Sequence, residues 1–252
     1  MSVIPVPSGD VTVEVDGRIV IVTFNRPEKR NAITQGMYGA IADTLEAADA
    51  DLGVAAVIFT GNGAAFTAGN DLEDFASGAN LDQVSRFLQV IRTVNVPLIA
   101  AVNGMAVGVG LTMLLHCDLV YVEPSVVLSA PFVSLGLVPE AASSLILPRV
   151  VGERRAAEIL LGGRKIDGNE AAEWGLANAV ASSALTAARE AAKSLIGQPP
   201  QAIRATKALL HSDELTVGGR MAEEMTRFME ALGGAEFAEV IAARNEKRPP
   251  VF

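Results

Sequence analysis

Hydrophobic and polar positions follow two alternating periods in the first half of the chain. Two β-branched runs, 11–15 and 19–24, flank Asp16-Gly17-Arg18 and predict a β-hairpin. After the hairpin, amphipathic helices alternate with buried strands. Helices are predicted at 34–50, 81–93 and 110–116, and strands at 54–60, 98–102, 119–122 and 126–129. This alternation predicts an α/β fold with ligand-binding loops at the strand ends.

Beyond Ser143 the pattern indicates helices alone. They are predicted at 153–161, 169–174, 183–196, 200–210 and 215–232. Their apolar stripes exceed what one thin layer of helices can bury against a single core. We therefore expect part of this helical region to form an interface between subunits.

The stretch 93–117 carries no Asp, Glu, Lys or Arg and is long enough to cross a bilayer. Its segment 104–108 also has the GxxxG spacing of packed membrane helices. However, Pro97 and the pair Asn103-Gly104 divide the stretch, and no Lys/Arg cluster flanks it. We interpret it as a buried strand, a loop and a buried helix, and expect no membrane association.

Charge and composition exclude several classes of protein. The 252 residues include 20 basic and 29 acidic side chains, and the net charge of −9 argues against nucleic-acid binding. With 50% hydrophobic residues the chain can form a globular core. One cysteine excludes an internal disulfide, and the two histidines are too far apart for a short metal motif, so no metal is expected. Neither terminus carries a targeting signal, and we expect a cytoplasmic protein.

Two glycine-containing loops, 66–72 and 104–110, each join a strand to a helix. Small residues let a ligand approach the main chain, and the first amides of a helix have no partner within the helix. If the two loops converge, they can present two amides to one developing oxyanion. The alternative is that the glycines serve close packing before a buried helix.

Glu140 is a candidate general base because it precedes an apolar run, where burial raises the pKa of a carboxyl group. The alternative is a favourable charge at a helix N-terminus. Cys117 follows His116, but neighbours on a helix point in different directions. We therefore predict a buried structural thiol rather than a nucleophile pair.

Four segments carry a family resemblance: Asn25 to Ala32, Ala68 to Leu72, Ala101 to Gly110 and Trp174 to Ala177. In order and spacing they resemble the crotonase (enoyl-CoA hydratase/isomerase) superfamily over nearly the whole chain. The resemblance implies a crotonase-like α/β spiral of ββα turns over residues 1–195, with a helical trimerisation region over 196–252. It also implies trimers or dimers of trimers, an acyl-CoA thioester substrate, and no cofactor beyond the coenzyme A of the substrate.

The resemblance also implies roles for individual residues. The backbone amides of Asn70 and Val109 would form the oxyanion hole, and Arg30 would lie near the CoA phosphates. The remaining predicted substrate contacts lie in the CoA-binding loop and the acyl pocket: Ala68, Asp71, Leu72 and Phe132.

Departures from the family pattern bear on the reaction. Hydratases of this family use two glutamates, and the matching positions here hold Thr112 and Phe132, which cannot exchange protons with water at neutral pH. Glu140 instead lies in a context similar to that of peroxisomal-type Δ3,Δ2-enoyl-CoA isomerases, which carry one glutamate. We expect isomerisation catalysed by Glu140. Two alternatives stay open: an enoyl-CoA hydratase of fatty acid degradation that uses Glu140 and a differently held water, and a non-catalytic protein that binds CoA thioesters.

Overall fold

The computed structural model describes residues 4–5, 9–71, 73–74, 82–212, 219, 226, 228, 230 and 234–251. The strands are β1 (Val11–Asp16), β2 (Ile19–Phe24), β3 (Ala56–Gly61), β4 (Ala65–Thr67), β5 (Leu98–Val102), β6 (Met105–Val107), β7 (Leu119–Val122), β8 (Leu128–Ser129) and β9 (Ala179–Val180). The helices are α1 (Gln35–Ala50), α2 (Asp82–Thr93), α3 (Val109–Thr112), α4 (Ser143–Val151), α5 (Glu153–Leu160), α6 (Gly168–Glu173), α7 (Ala184–Ile196), α8 (Pro200–Leu210) and α9 (Ala235–Glu246).

The strands form two sheets. The larger sheet has the order β1-β2-β3-β5-β7-β9, and the smaller has the order β4-β6-β8. β1 and β2 form the predicted antiparallel hairpin, and every later pair in both sheets is parallel. Successive strand pairs, β3 with β4, β5 with β6 and β7 with β8, give one strand to each sheet. This arrangement confirms the crotonase-like α/β spiral.

The central strands of the larger sheet, β2, β3 and β5, are buried on both faces. One face, with Val57 and Phe59, packs into the main core together with the buried side of α1. The opposite face, with Ile58 and Ile99, is covered by the small residues of α7. Burial on both faces explains why β3 and β5 are continuous apolar runs rather than alternating ones.

Three strands differ from the sequence-based expectation. β4 and β6 lie in segments predicted to be loops, and three residues are too few to show a period of two. Beyond Ser143, the prediction of helices alone is wrong, because Ala179–Val180 pairs with the edge of β7. A two-residue strand is defined by this pairing and not by its own composition.

The helices also differ in detail. The helix predicted at 110–116 is the single turn α3 followed by a 3₁₀ helix, Met113–His116. α4 was not predicted, and it contains Pro148. α9 was not predicted either, and most of the helix expected at 215–232 lies outside the described residues. Within the described residues, no helix is both long and apolar enough to span a bilayer.

Candidate active site

The loop after β4 is fixed to residues 30–33 by main-chain hydrogen bonds. The N–H of Ala68 donates to the carbonyl of Arg30 at 2.9 Å. Ile33 and Asn70 form a parallel bridge, in which Ile33 N–H donates to Gly69 and Asp71 N–H donates to Ile33. The N–H of Asn70 takes no part in this bridge and has no protein acceptor within the described ranges.

The second loop leads from β6 through Gly108 into α3. Gly108 has φ +58° and is the N-cap, and its carbonyl accepts hydrogen bonds from Leu111 and Thr112 at 3.0 Å each. Val109 is the first residue of the helix, so no preceding turn supplies a carbonyl for its N–H. Across the part of the chain that the structure covers, this N–H has no acceptor.

The two loops lie side by side because β4 and β6 are paired, with Thr67 opposite Ala106. Gly69 has φ +92°, and a Cβ there would be 2.7 Å from the carbonyl oxygen of Val107. A Cβ on Gly110 would be 2.7 Å from Cγ2 of Thr67. Both glycines therefore allow the two loops to pack closely, so that the segments carrying Asn70 and Val109 lie side by side.

Glu140 has one engaged and one free carboxyl oxygen. Oε1 accepts a short hydrogen bond from the hydroxyl of Thr112. Oε2 is buried and has no hydrogen-bond partner among the residues that the structure describes. Burial raises the pKa of Glu140, and the Thr112 hydrogen bond partly opposes this rise. Because α4 begins at Ser143, Glu140 lies outside its first turn, and the interpretation as a helix N-terminal charge is wrong.

The backbone next to Glu140 is strained. Ala141 and Ala142 both have φ +54°, a left-handed conformation that costs roughly 1–2 kcal/mol for each L-residue. Burial lowers the pKa of His116, so its imidazole is neutral, and its Nε2 lies 2.9 Å from the carbonyl oxygen of Ala141. Glu140 itself accepts hydrogen bonds through its carbonyl from the N–H and the hydroxyl of Ser143, at 3.0 and 2.6 Å. These contacts hold the strained turn and thereby aim the carboxyl group.

Tyr38 links the two halves of the site. Its ring is fully buried on α1, and its hydroxyl donates a short hydrogen bond to Oδ1 of Asn70. Its pKa is raised well above the usual value by burial and, secondarily, by the negative charge of Glu140. Thr112 provides a second link, since it lies three residues after Val109 in one helical turn, about 4.5 Å along the axis. Asn70, Val109 and Glu140 are therefore brought together.

The remaining predicted residues surround this centre in different ways. Arg30 is exposed and contacts the loop through its carbonyl. The carboxylate of Asp71 belongs to the scaffold: it pairs with Arg26 at 2.9 Å, and this hydrogen bond lowers its pKa. Phe132 is buried in the main core, and Leu72 lies outside the described residues.

Cys117 and His116 contact different groups, as predicted, but the cysteine is half-buried and not fully buried. Its Sγ points to the carbonyl of Met113 at 3.6 Å, whereas His116 contacts Ala141. Burial raises the pKa of the Cys117 thiol to about 12, so the reactive thiolate is absent at neutral pH.

Three contributors to the site were missed by the sequence analysis. Tyr38 was predicted only as part of a helix, and no motif marks its hydroxyl. Thr112 was considered only as the replacement of a glutamate, and its hydrogen bond to Glu140 depends on a contact 28 positions away. The left-handed alanines gave no signal because alanine rarely adopts that conformation.

Paired amides beside a partly buried carboxyl group, on a parallel two-sheet spiral, define an enzyme of the crotonase fold class. A family model described as "Enoyl-CoA hydratase/isomerase" matches residues 14–252. The chain belongs to the enoyl-CoA hydratase/isomerase family, whose members act on acyl-CoA thioesters.

Similar proteins carry both reaction names. The chain is 34% identical over 242 residues to 2,3-dehydroadipyl-CoA hydratase from Escherichia coli K12, covering 93% of this chain and 95% of that protein. It is 38% identical over 218 residues to enoyl-CoA delta isomerase 2 from Rattus norvegicus, covering 82% of this chain and 56% of that protein. A crystal structure of an enoyl-CoA hydratase/isomerase from Pseudoalteromonas atlantica T6c superposes with a TM-score of 0.79 at 42% identity, over 97% of this chain and 100% of that chain.

Proposed function

We propose that the protein is a Δ3,Δ2-enoyl-CoA isomerase in which Glu140 moves one proton between two carbon atoms. The thioester carbonyl oxygen of a 3-enoyl-CoA would accept hydrogen bonds from the N–H groups of Asn70 and Val109. Neither N–H group has an acceptor among the described residues, and preorganised donors stabilise an oxygen on which charge develops. No metal ion is required for this step.

The reaction balances with a single carboxylate. Oε2 of Glu140 removes a proton from C2, and the electron pair of that C–H bond delocalises over the dienolate and the thioester oxygen. Protonated Glu140 then returns the proton to C4, the double bond moves from C3–C4 to C2–C3, and the carboxylate is regenerated. The raised pKa of Glu140 suits both half-reactions, because the group must accept a proton and then release it.

The observation that carries this proposal is the buried, unpartnered Oε2 of Glu140, held through Thr112 one helical turn from the Val109 amide. Hydration would need a further group to exchange protons with water. The positions at which the family resemblance expects the two hydratase glutamates are filled by Thr112 and Phe132, both buried. Asp71, the nearby carboxylate of the donor loop, is engaged by Arg26.

Substitution Glu140→Gln tests this role while keeping the size and polarity of the side chain. We expect the isomerisation rate to fall by about 10²- to 10⁴-fold, the usual contribution of a general acid–base group. Acyl-CoA affinity, measured by calorimetry with a saturated acyl-CoA, should change little. Glu190→Gln on α7 is the matched control, because Glu190 is exposed and its carboxylate pairs with Lys193 on the same helix.

Three outcomes are informative. Undiminished isomerisation by Glu140→Gln would remove the glutamate from the mechanism. Hydration of 2-enoyl-CoA by the native protein, abolished in the same variant, would support the hydratase alternative. Tight CoA-thioester binding without turnover of any enoyl isomer would support a binding protein.

We also propose that the protein assembles as a trimer or a dimer of trimers through its helical C-terminal region. Large apolar side chains are exposed in the described part of this region, including Leu210, Phe228 and Phe237. Burial in a subunit interface would remove this apolar area from water. Sedimentation equilibrium would distinguish three, six or one copies, and a monomer at micromolar concentration would contradict the proposal.

A further inference from the structure

Thr112 is fully buried at the C-terminal end of α3, and its hydroxyl contacts a group outside its own helix. Its backbone N–H already donates to the carbonyl of Gly108 at 3.0 Å. A buried threonine in a helix can satisfy its hydroxyl on a carbonyl one turn earlier, as Thr44 does with Ala40 on α1. Thr112 instead donates to the carboxylate of Glu140.

This contact makes the two carboxyl oxygens of Glu140 unequal. The terminal torsion of a glutamate is broad and nearly two-fold, so an unrestrained carboxyl group exchanges its oxygens. A charge-assisted hydrogen bond to Oε1 fixes the plane of the group. The other oxygen, Oε2, is then the one left without a partner.

We propose that Thr112 is a positioning residue whose hydroxyl holds Oε1 of Glu140, so that Oε2 faces the C2 proton of an acyl-CoA bound to the Asn70 and Val109 amides. This inference rests on the proposed function, in which Glu140 is the base. α3 then carries two roles within one turn: its first residue supplies an oxyanion donor and its last residue sets the direction of the base.

In the part of the chain that the structure describes, the other groups around Glu140 do not replace this hydrogen bond. From α1 the buried Tyr38 faces the site, but its hydroxyl donates to Asn70, and it stays protonated because its pKa is raised. From the Met113–His116 turn, the ring of His116 contacts the carbonyl of Ala141 and is neutral because burial lowers its pKa. Without the Thr112 hydroxyl, no hydrogen bond opposes the effect of burial on the Glu140 carboxylate. Burial favours the protonated form of this group.

The test compares Thr112→Val, which is nearly isosteric and lacks the hydroxyl, with Thr112→Ser, which restores it. Thr44→Val is the matched control, since Thr44 is equally buried and its hydroxyl bonds within α1. For isomerisation of a 3-enoyl-CoA we expect Thr112→Val to lower kcat about ten- to a hundredfold with little change in KM, because misdirection of a reacting group acts on the chemical step. Thr112→Ser should recover most of the rate.

The pH profile separates positioning from general damage to the fold. The base must be ionised, so kcat/KM rises with pH through the pKa of Glu140 in the free enzyme. The Thr112 hydrogen bond favours the ionised form, and its loss should move the acid limb of the profile to higher pH. The acid limb should return to its original position in Thr112→Ser and stay unchanged in Thr44→Val.

A second readout does not depend on turnover. The protein is labelled with ¹³C at the glutamate carboxyl carbons and followed by NMR as a function of pH. The Glu140 resonance is identified by its absence from the spectrum of Glu140→Gln. The titration midpoint of this resonance should rise in Thr112→Val. If Thr112→Val is poorly folded, Thr112→Ala replaces it in both measurements. An unchanged midpoint, or an unchanged kcat with a normal pH profile, would overturn the positioning role. Absence of isomerisation in the native protein together with a shifted midpoint would instead reject the proposed function and leave the hydrogen bond established.

Discussion

The two sides of the site are built in opposite ways. On the Asn70 side, the main chain is bonded on both flanks of the donor amide: the bridge to Ile33 uses the Gly69 carbonyl and the Asp71 N–H, and Arg26 holds the Asp71 carboxylate. On the Glu140 side, residues 133–138 are all exposed, and one buried carboxyl oxygen has no partner among the described residues. Left-handed pairs do not distinguish the two sides, because Arg30-Asn31 and Ala141-Ala142 both have positive φ.

This difference agrees with the roles proposed for the two sides. Oxyanion donors act only if they already point at the developing charge, so rigid main-chain bonding around Asn70 serves them directly. A base needs a lone pair that the protein has not satisfied, and such a group costs stability. We infer that the interactions around Asn70 stabilise the fold. The unsatisfied carboxyl oxygen of Glu140 lowers the stability of the fold but keeps the carboxylate reactive.

On the donor side, the largest expected effect comes from removal of one backbone N–H. Val109→Pro deletes the N–H at the first position of α3, where proline is tolerated in helices. We expect kcat for isomerisation to fall about 10²- to 10³-fold, the usual loss for one oxyanion-hole donor. Steady-state kinetics with a 3-enoyl-CoA would measure the change.

Glu153→Pro is the matched control for this variant. Glu153 is also the first residue of a helix that follows a glycine of positive φ, Gly152, but it is exposed on α5. A folded Val109→Pro protein with native activity would show that this amide is not a donor to the thioester.

A smaller effect is expected from Tyr38→Phe, which removes the hydroxyl that fixes the Asn70 side chain. One hydrogen bond contributes about 0.5–1.5 kcal/mol net, so we expect kcat to fall up to about tenfold. Asn70→Ala keeps the backbone amide and removes the acceptor. If Tyr38 acts through the Asn70 side chain, the double variant that combines Tyr38→Phe and Asn70→Ala should lose no more activity than either single variant. Additive losses of activity would show that Tyr38 does not act through Asn70.

The stability of the donor side is tested by Asp71→Asn. The Arg26 and Asp71 side chains are only 14% and 10% exposed, and we expect the free energy of unfolding at pH 7 to fall by about 2 kcal/mol. The pKa of Asp71 is lower in the folded protein than in the unfolded chain. The ionised Asp71 therefore contributes to the free energy of unfolding above its unfolded pKa, and this contribution is lost as the pH falls through its folded pKa. Urea unfolding would measure the difference in the free energy of unfolding between the native protein and Asp71→Asn. This difference should be smaller at acidic pH than at pH 7.

Asp16→Asn supplies the comparison for Asp71. Asp16 also pairs with an arginine, Arg189, but its side chain is 52% exposed, and exposed pairs contribute little. Equal losses in the two variants would indicate that the Asn70 loop is no more firmly held than an ordinary surface pair.

The smallest expected effect has the opposite sign. The pKa of Glu140 is raised in the fold, so its contribution to stability is full below the unfolded pKa and is lost as the pH rises through the folded pKa. At pH 7, Glu140→Gln should therefore unfold with a free energy about 1 kcal/mol higher than the native protein, and the gain should disappear below about pH 4. If Glu140→Gln is less stable than the native protein at pH 7, the ionised Glu140 does not lower the stability of the fold, and this part of the account is contradicted.

The sequence was sufficient to predict the fold and to select the three central residues of the proposed site. β-branched runs, helical spacing and the resemblance of four ordered segments led to the α/β spiral. They also led to Asn70, Val109 and Glu140, which the structure brings together. Glycine spacing was informative here because only glycine permits the contact between the loops at Gly69 and Gly110.

The support around these residues could not be predicted, for physical reasons. The hydrogen bonds of Tyr38 to Asn70 and of Thr112 to Glu140 join residues 32 and 28 positions apart, and local patterns carry no information on such pairs. The engagement of Asp71 by Arg26 likewise depends on tertiary packing across 45 positions. β4, β6 and β9 are too short to have a detectable period and exist through their neighbours.

The most direct test of a single-carboxylate mechanism is the ratio of two initial rates of the native protein, measured in one buffer. One is the conversion of a 3-enoyl-CoA into the conjugated 2-enoyl-CoA, followed as a gain in thioester absorbance. The other is water addition to the matching 2-enoyl-CoA, followed as its loss. We expect isomerisation to exceed hydration by about a hundredfold or more, because no second acid–base group is present at the Thr112 and Phe132 positions. Hydration as fast as isomerisation, or faster, would contradict the assignment.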